Sequence, residues 1–293
     1  MSEDYITELF VFIDDFIKLY TEQKLKLQIS QGEKLRKPTR TTEMPISEIL
    51  TIYLAFYGSC FAHFKAFYGY MQMHHRSAFP KMVTYERFTA LIERIFEPMV
   101  YLLNCILDNT SDIAYIDSTP IRVCGNKRTS MHKVFEKLAK LGKSSMGWFF
   151  GFKLHLVIDL SGNLTAVTLT PGNQNDRRPI EMLLKNFKGT VCGDKGYISK
   201  ELAQRLAEKG IKLVTGIKKG MENKLMEIKD KLLLKKRSLI ESVIGKLKRC
   251  FSLEHSRHRS VKNFCCHIIA ALIVYQLAGN KPHTTLQHAL PNP

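Results

Sequence analysis

Three things are scarce in this 293-residue chain: tryptophan, of which there is one, cysteines at metal-ligand spacing, and acidic residues after about position 110. The seven cysteines, Cys60, Cys105, Cys124, Cys192, Cys250, Cys265 and Cys266, are odd in number and contain no C-x-x-C, so reduced thiols are expected. Cys250, His255, His258 and Cys265 could be counted as a zinc set, but their spacing matches none of the usual zinc modules. Long apolar runs are also missing. The best, Ile49 to Phe64, contains Ser59 and His63 and stops at Lys65, short of the roughly 18 residues of a membrane-spanning helix. The first residues carry acids where a secretory signal needs bases, and Asp14 and Asp15 interrupt their apolar stretch. The expectation is a cytoplasmic protein with no membrane partner.

What the chain does have is 45% apolar residues, enough for one large or two smaller folded domains, and a formal charge of +17. That charge is uneven. Residues 1 to 110 hold 12 Lys and Arg against 13 Asp and Glu, whereas residues 111 to 293 hold 32 against 14. A basic excess confined to one region points to a polyanionic partner bound there.

Periodicity predicts a helix over residues 4 to 20, a basic connector from Thr21 to Thr42, and helices from Ser47 to about Met73 and Thr84 to Leu107. The aromatics Tyr53, Phe56, Tyr57, Phe61, Phe64, Phe67 and Tyr68 recur at helical spacing, which favours a packed core over a base-stacking face. From residue 112 the pattern becomes short strands: Ile113 to Ser118, Gly151 to Leu160 and Leu164 to Leu169, the last two joined by a turn at Ser161-Gly162-Asn163. A helix from Pro179 to Phe187, a strand from Thr190 to Gly193, a helix from Ser199 to Lys209 and a strand from Ile211 to Thr215 follow. Helices from Lys229 to Phe251 and Lys262 to Leu277 complete the series. The fold class is α/β, a mixed sheet flanked by helices and preceded by a small all-helical domain. Expected boundaries are 1–110, 111–277 and a tail, 278–293.

Three carboxylates stand where core packing would not put them. Asp117 lies inside the apolar strand IAYIDS, Asp194 at the carboxyl end of TVCG, and Glu241 in an otherwise basic helix. On a helical wheel Arg237, Glu241 and Lys248 form one stripe, apart from the apolar side of Ile240, Val243, Ile244, Leu247 and Phe251. Taken alone, Glu241 reads as a surface partner of Arg237 four residues before it. Taken together, three acids in a basic domain suit a divalent-cation site acting on a nucleic-acid phosphodiester.

At these residues the chain resembles the DDE transposases of bacterial insertion sequences, whose catalytic domain is RNase H-like. The helix around Glu241 is similar to the signature Y-x-x-R-x-x-x-E-x-x-x-x-x-x-K through Arg237, Glu241 and Lys248, with Leu234 at the tyrosine position. VCGDKGY resembles the motif D-x-G-Y, AYIDSTPI the first-Asp strand, and GWFFGFKLHLVID with LTPGNQNDRRP the central region. The motifs span roughly residues 112 to 277 in the expected order, with the acids 77 and 47 residues apart. The resemblance implies that Asp117, Asp194 and Glu241 coordinate two Mg²⁺ ions, which Mn²⁺ can replace. It implies cleavage at transposon ends, joining of the 3′-OH to target DNA, recognition of terminal inverted repeats through the helical region, and a homodimer on DNA. Arg237 and Lys248 would contact DNA near the scissile phosphate.

Other residues carry two readings each. Asp159 suits a turn before Ser161-Gly162, and Asp176 suits a cap for the helix at Pro179, as alternatives to metal binding. His155 shares a strand face with Lys153 and is either structural or near the site. Arg122 to Lys143 places seven bases against one acid between two strands; it reads either as a solvated loop with a short helix or, as the charge density favours, as a DNA-contacting insertion that includes Lys127, Arg128 and Lys133. Lys195 adjoins the second Asp, and Trp148 and Tyr197 are candidates for stacking on an unpaired base or for packing. The alternatives to a transposase are a stand-alone RNase H-like nuclease or resolvase and a catalytically inactive DNA-binding remnant.

Overall fold

A computed structural model describes residues 3–31, 44–107, 110–217, 226–254 and 258–284. The far part of the expected connector (32–42), His255 of the zinc set and the end of the expected tail (285–293) lie outside the described residues. The chain divides into two compact units. One comprises Met1–Ile106, Cys250–Ser252 and His258–Val274; the other comprises Leu107–Arg249, Leu253–Arg257 and Tyr275–Pro293.

The first unit is helical: α1 (Glu3–Ser30), α2 (Ile46–Tyr57), α3 (Phe64–His74), α4 (Tyr85–Leu91) and α5 (Phe96–Ile106), with most of α10 (Val261–Leu277). Three expectations are corrected here. The connector begins later, because TEQKLKLQIS consists largely of good helix formers and α1 continues through it. The segment from Ser47 to Met73 is two helices, broken at Gly58, where a side chain would run into the Tyr5 hydroxyl, and at Ser59, whose hydroxyl donates to the Phe56 carbonyl. The segment from Thr84 to Leu107 is also two, parted by a 3-10 turn at Ile92–Ile95. Pro98 accounts for that break, since its ring cannot accept a regular turn before it and is at home in the first turn of α5. The aromatics are core: Tyr53, Phe67 and Tyr68 are buried, and the Phe64 ring meets those of Tyr53, Phe56 and Phe88 at 5.3–5.7 Å.

The second unit is built on a six-stranded mixed sheet: β1 (Ile113–Cys124), β2 (Lys140–Ser144), β3 (Gly147–Ile158), β4 (Leu164–Pro171), β5 (Gly189–Gly193) and β6 (Ile211–Thr215). Its order is β2-β3-β1-β5-β6, with β4 pairing β3 beyond β2. β1 is antiparallel to β3, while β1–β5 and β5–β6 are parallel. The β3–β4 hairpin turns at Gly162, whose φ of 74° is open to glycine at little cost. Asp159 serves the turn reading, accepting from the backbone N–H (2.8 Å) and side-chain amide (3.0 Å) of Asn163.

β1 runs six residues further than expected. From Asp117 onward it has β3 alone as a neighbour, so Pro120 stands beside an open edge where its missing N–H breaks no ladder. The helix expected from Pro179 is a single turn, α6 (Ile180–Leu183). One sheet face packs Ala114, Ile116, Val157 and Val191 against Ile180, Leu183 and the α7 (Lys200–Glu208) residues Leu202 and Leu206. Burial of each such aliphatic side chain stabilises the fold by roughly 1.5–3 kcal/mol. Strand alternation sends Tyr115 and Asp117 to the other face. There α8 (Ile228–Lys235) lies, with its Leu233 carbonyl accepting from the Tyr115 hydroxyl and its Asp230 pairing with Lys212 of β6 at 2.9 Å.

The helix expected from Lys229 to Phe251 is α8 and α9 (Ser238–Cys250), joined by a turn at Lys236 and Arg237. The wheel therefore does not run from Leu234 to Glu241.

Candidate active site

The strand register brings the first two acids together. The last paired residues of the parallel strands β1 and β5 are Ile116 and Gly193, so Asp117 and Asp194 are the next residues on two neighbouring strands. Adjacent strands lie about 4.8 Å apart. At this point β5 ends and the chain bends into a 3-10 turn, Lys195–Tyr197, leaving Asp194 exposed at the carboxyl end of the strand, where open α/β sheets place their sites. Gly193 permits the bend to pack: a Cβ there would come within 2.9 Å of the Tyr197 ring and 3.2 Å of Ile116.

Glu241 comes from the first turn of α9, and Arg237 links it to the strands. The Arg237 guanidinium lies 2.8 Å from Glu241 Oε1 and 3.9 Å from Asp194 Oδ1. Burial pushes the Asp117 carboxyl up to about 6; the Ser118 backbone N–H, at 2.7 Å, and the Arg237 charge oppose this, while Asp194 and Glu241 add to it. Asp117, Asp194, Glu241 and Arg237 thus share one electrostatic neighbourhood. Both the ordinary i, i+4 pair and the company of the other two acids are present at Glu241.

Three carboxylates are the hard oxygen donors that Mg²⁺ and Mn²⁺ take, and Asp117 is a half-buried acid whose carboxyl is raised by desolvation despite the nearby Arg237, so the residues fit a divalent cation in kind. Among the described residues no three His, Cys, Asp or Glu side chains are gathered into a ready cage. Arg237 is the cation that two of the acids hold.

A second cluster lies beside Asp117. Asp176 Oδ1 accepts from the Ser118 hydroxyl and from the Lys153 ammonium, each at 3.0 Å, and Lys153 also donates to the Gln174 carbonyl at 2.9 Å. Asp176 therefore does not cap α6, as the sequence suggested; its carboxylate is committed to two donors from β1 and β3. The available signal was the face that Lys153 shares with His155. His155 itself is fully buried, its Nε2 is 2.9 Å from the Thr170 hydroxyl, and burial holds its pKa down near 4.

Tyr197 is 2% exposed and belongs to the core under α7, which removes its ring from any base-stacking surface. Its hydroxyl is buried without a well-formed hydrogen bond. Burial and the carboxylates of Asp117, Asp176 and Asp194 push its pKa up, with the nearby Ser118 hydroxyl opposing them. Lys195 is exposed beside Asp194. Lys248, the last residue of the expected stripe, pairs with Glu254 at 2.5 Å.

The remaining basic residues lie elsewhere on the second unit. Lys127 and Arg128 are exposed on a 3-10 turn, Asn126–Met131, and Lys133 is exposed just after it. Asn126 ties this turn to the start of β3 by donating to the Trp148 carbonyl at 2.9 Å. Trp148 is 55% exposed, with the Lys143 ammonium 5.7 Å from its ring centre. The basic insertion is thus a largely exposed segment with one short 3-10 helix, which both of its readings allow. In the described residues no helix is long and apolar enough to cross a membrane.

Residues 107–261, just over half of the chain, match a family model described as a transposase DDE domain. No curated protein matches the chain.

Proposed function

This chain belongs to the family of transposase DDE domains, DNA-processing enzymes that generally use divalent metals, and from that membership we propose that it cleaves transposon-end DNA and joins the freed 3′-OH to target DNA. The observation that carries the reading is the register of β1 and β5, which sets Asp117 and Asp194 side by side at a strand end, coupled to Glu241 through Arg237. The mixed sheet between helices supports an RNase H-like catalytic domain over 111–277, with 1–110 as a helical domain for end recognition or dimerisation and 278–293 as a tail.

In this reading Asp117, Asp194 and Glu241 hold two Mg²⁺ ions, for which Mn²⁺ substitutes. Such ions supply Lewis-acid stabilisation of the entering and leaving oxygens of the phosphodiester. Asp117, within β1 and just past its last residue paired with β5, is held by partial burial and by the Ser118 N–H. Arg237 exchanges its two carboxylates for the DNA, where its planar guanidinium can grip a phosphate through two parallel N–H bonds. Lys248 makes the same exchange, leaving Glu254 for phosphate. Lys195 meets the backbone beside Asp194. Lys127, Arg128 and Lys133 hold it further along, with Trp148 offering an exposed face for an unpaired base. Two copies bring two inverted repeats together, and the protein works in the cytoplasm on the nucleoid.

The test is a strand-transfer assay with labelled end DNA and Mg²⁺. Wild type yields joined products; Asp117→Ala, Asp194→Ala and Glu241→Ala each lose them. Hydrolysis without joining would instead make the protein a nuclease or resolvase, and full activity in Glu241→Ala would remove that residue from the site.

A further inference from the structure

We infer that Asp176 and Lys153 are positioning residues for the Asp117 carboxylate, acting through Ser118; this rests on the reading of Asp117 as a metal ligand. The chain of contacts is continuous. Lys153 donates to Asp176 (3.0 Å), the Ser118 hydroxyl donates to the same Asp176 oxygen (3.0 Å), and the Ser118 backbone N–H donates to Asp117 Oδ1 (2.7 Å).

Backbone geometry explains why such a chain is wanted. β5 leaves β1 after Ile116, so the peptide between Asp117 and Ser118 loses a strand partner on that edge at the point where the acid must be held. The Ser118–Asp176 bond supplies an anchor in place of the missing strand, reaching β1 from the loop after β4, 58 residues away. The terminal torsion of an aspartate is broad and two-fold, and a short N–H contact to one oxygen narrows it, leaving the second oxygen for a cation. Lys153 has a separate task. The Asp176 charge, which also reaches the buried Tyr197 hydroxyl, would otherwise be unbalanced, and the Lys153 ammonium, with its side chain only 14% exposed, offsets it. An anchor balanced in this way orients the ligand without competing for the metal.

The experiment uses the full chain and Mn²⁺ as probe, with calorimetric titration alongside cleavage kinetics. Ser118→Ala removes one hydroxyl and leaves the Lys153–Asp176 pair standing, so it serves even if Asp176→Ala folds poorly. Each variant is expected to bind Mn²⁺ roughly tenfold more weakly. The double variant should be no weaker than either single, as for residues acting in one chain. Asp176→Asn, whose amide oxygen still accepts from Ser118, should recover most of the affinity. The kcat for cleavage should fall while the KM for DNA stays. Unchanged Mn²⁺ binding in Ser118→Ala, or additive losses in the double variant, would overturn the inference. So would the loss of one bound ion in both Asp176 variants, which would make Asp176 a ligand itself. If Asp117→Ala leaves Mn²⁺ binding untouched, it is the underlying reading of Asp117 that fails.

Discussion

Asp117 shows what a single carboxylate within an apolar strand costs its fold. Its carboxyl sits near 6 in the folded chain against 3.8 when free, so between those pH values the folded state binds more protons than the unfolded one. Stability from this group therefore falls as pH rises from about 4 to about 6, and stays lower above that. Asp117→Asn, which carries no charge, is expected to match wild type near pH 4 and to be roughly 1–3 kcal/mol more stable at pH 7.5 without divalent cations, as read by thermal melting. Equal melts at pH 7.5 would contradict the burial cost. His155 works in the opposite sense. Held near 4 by burial, it loses stability as pH falls from about 6.5 to 4, so the Asn variant should also show a steeper acid decline than wild type. At this scale Asp117 was legible because an acid within an apolar strand has no packing reason to be there. Asp176 was not, because its donors, Lys153 and Ser118, stand 23 and 58 residues away and only the folded sheet makes them neighbours.

Elements carried the site further than single residues did. Asp117 inside one apolar run and Asp194 at the end of another could be read from the sequence, whereas the register that makes them adjacent could not, since periodicity within a strand is silent about its partner. The break between α8 and α9 escaped the wheel for a related reason: the backbone tightens to i→i−3 bonds at Lys236 and Arg237, a change that apolar periodicity does not register. Gly193→Ala tests how closely this strand end is fitted. The added methyl would meet the Tyr197 ring and Ile116, so a loss of about 1–3 kcal/mol is expected in denaturant unfolding, together with reduced cleavage. On the far side of the same sheet, Lys212 bridges β6 to Glu227 and to the buried Asp230 of α8. Lys212→Met strands Asp230 without its cation, and the expected result is a lower melting temperature with faster amide exchange in α8.

Across the whole molecule the charge distribution was the most legible property, and its consequence is a steep dependence on salt. Affinity for DNA should drop by orders of magnitude between 50 and 200 mM salt if six or more phosphates are neutralised. Replacing Lys127, Arg128 and Lys133 by alanine together should flatten the slope of log affinity against log salt by up to about 2.7 units in a binding titration. An unchanged slope would show that the basic insertion does not touch the backbone. The path of the chain through the sheet adds a consequence in time. The β3–β4 hairpin closes over a short turn, but the parallel pairing of β1 with β5 joins Ile113 to Thr190 and must wait for a long loop to close. Contacts of such long range form late in folding. A nascent or half-folded chain therefore carries both aspartates without having them together, and the paired strand ends that adjoin them arrive only with the finished sheet.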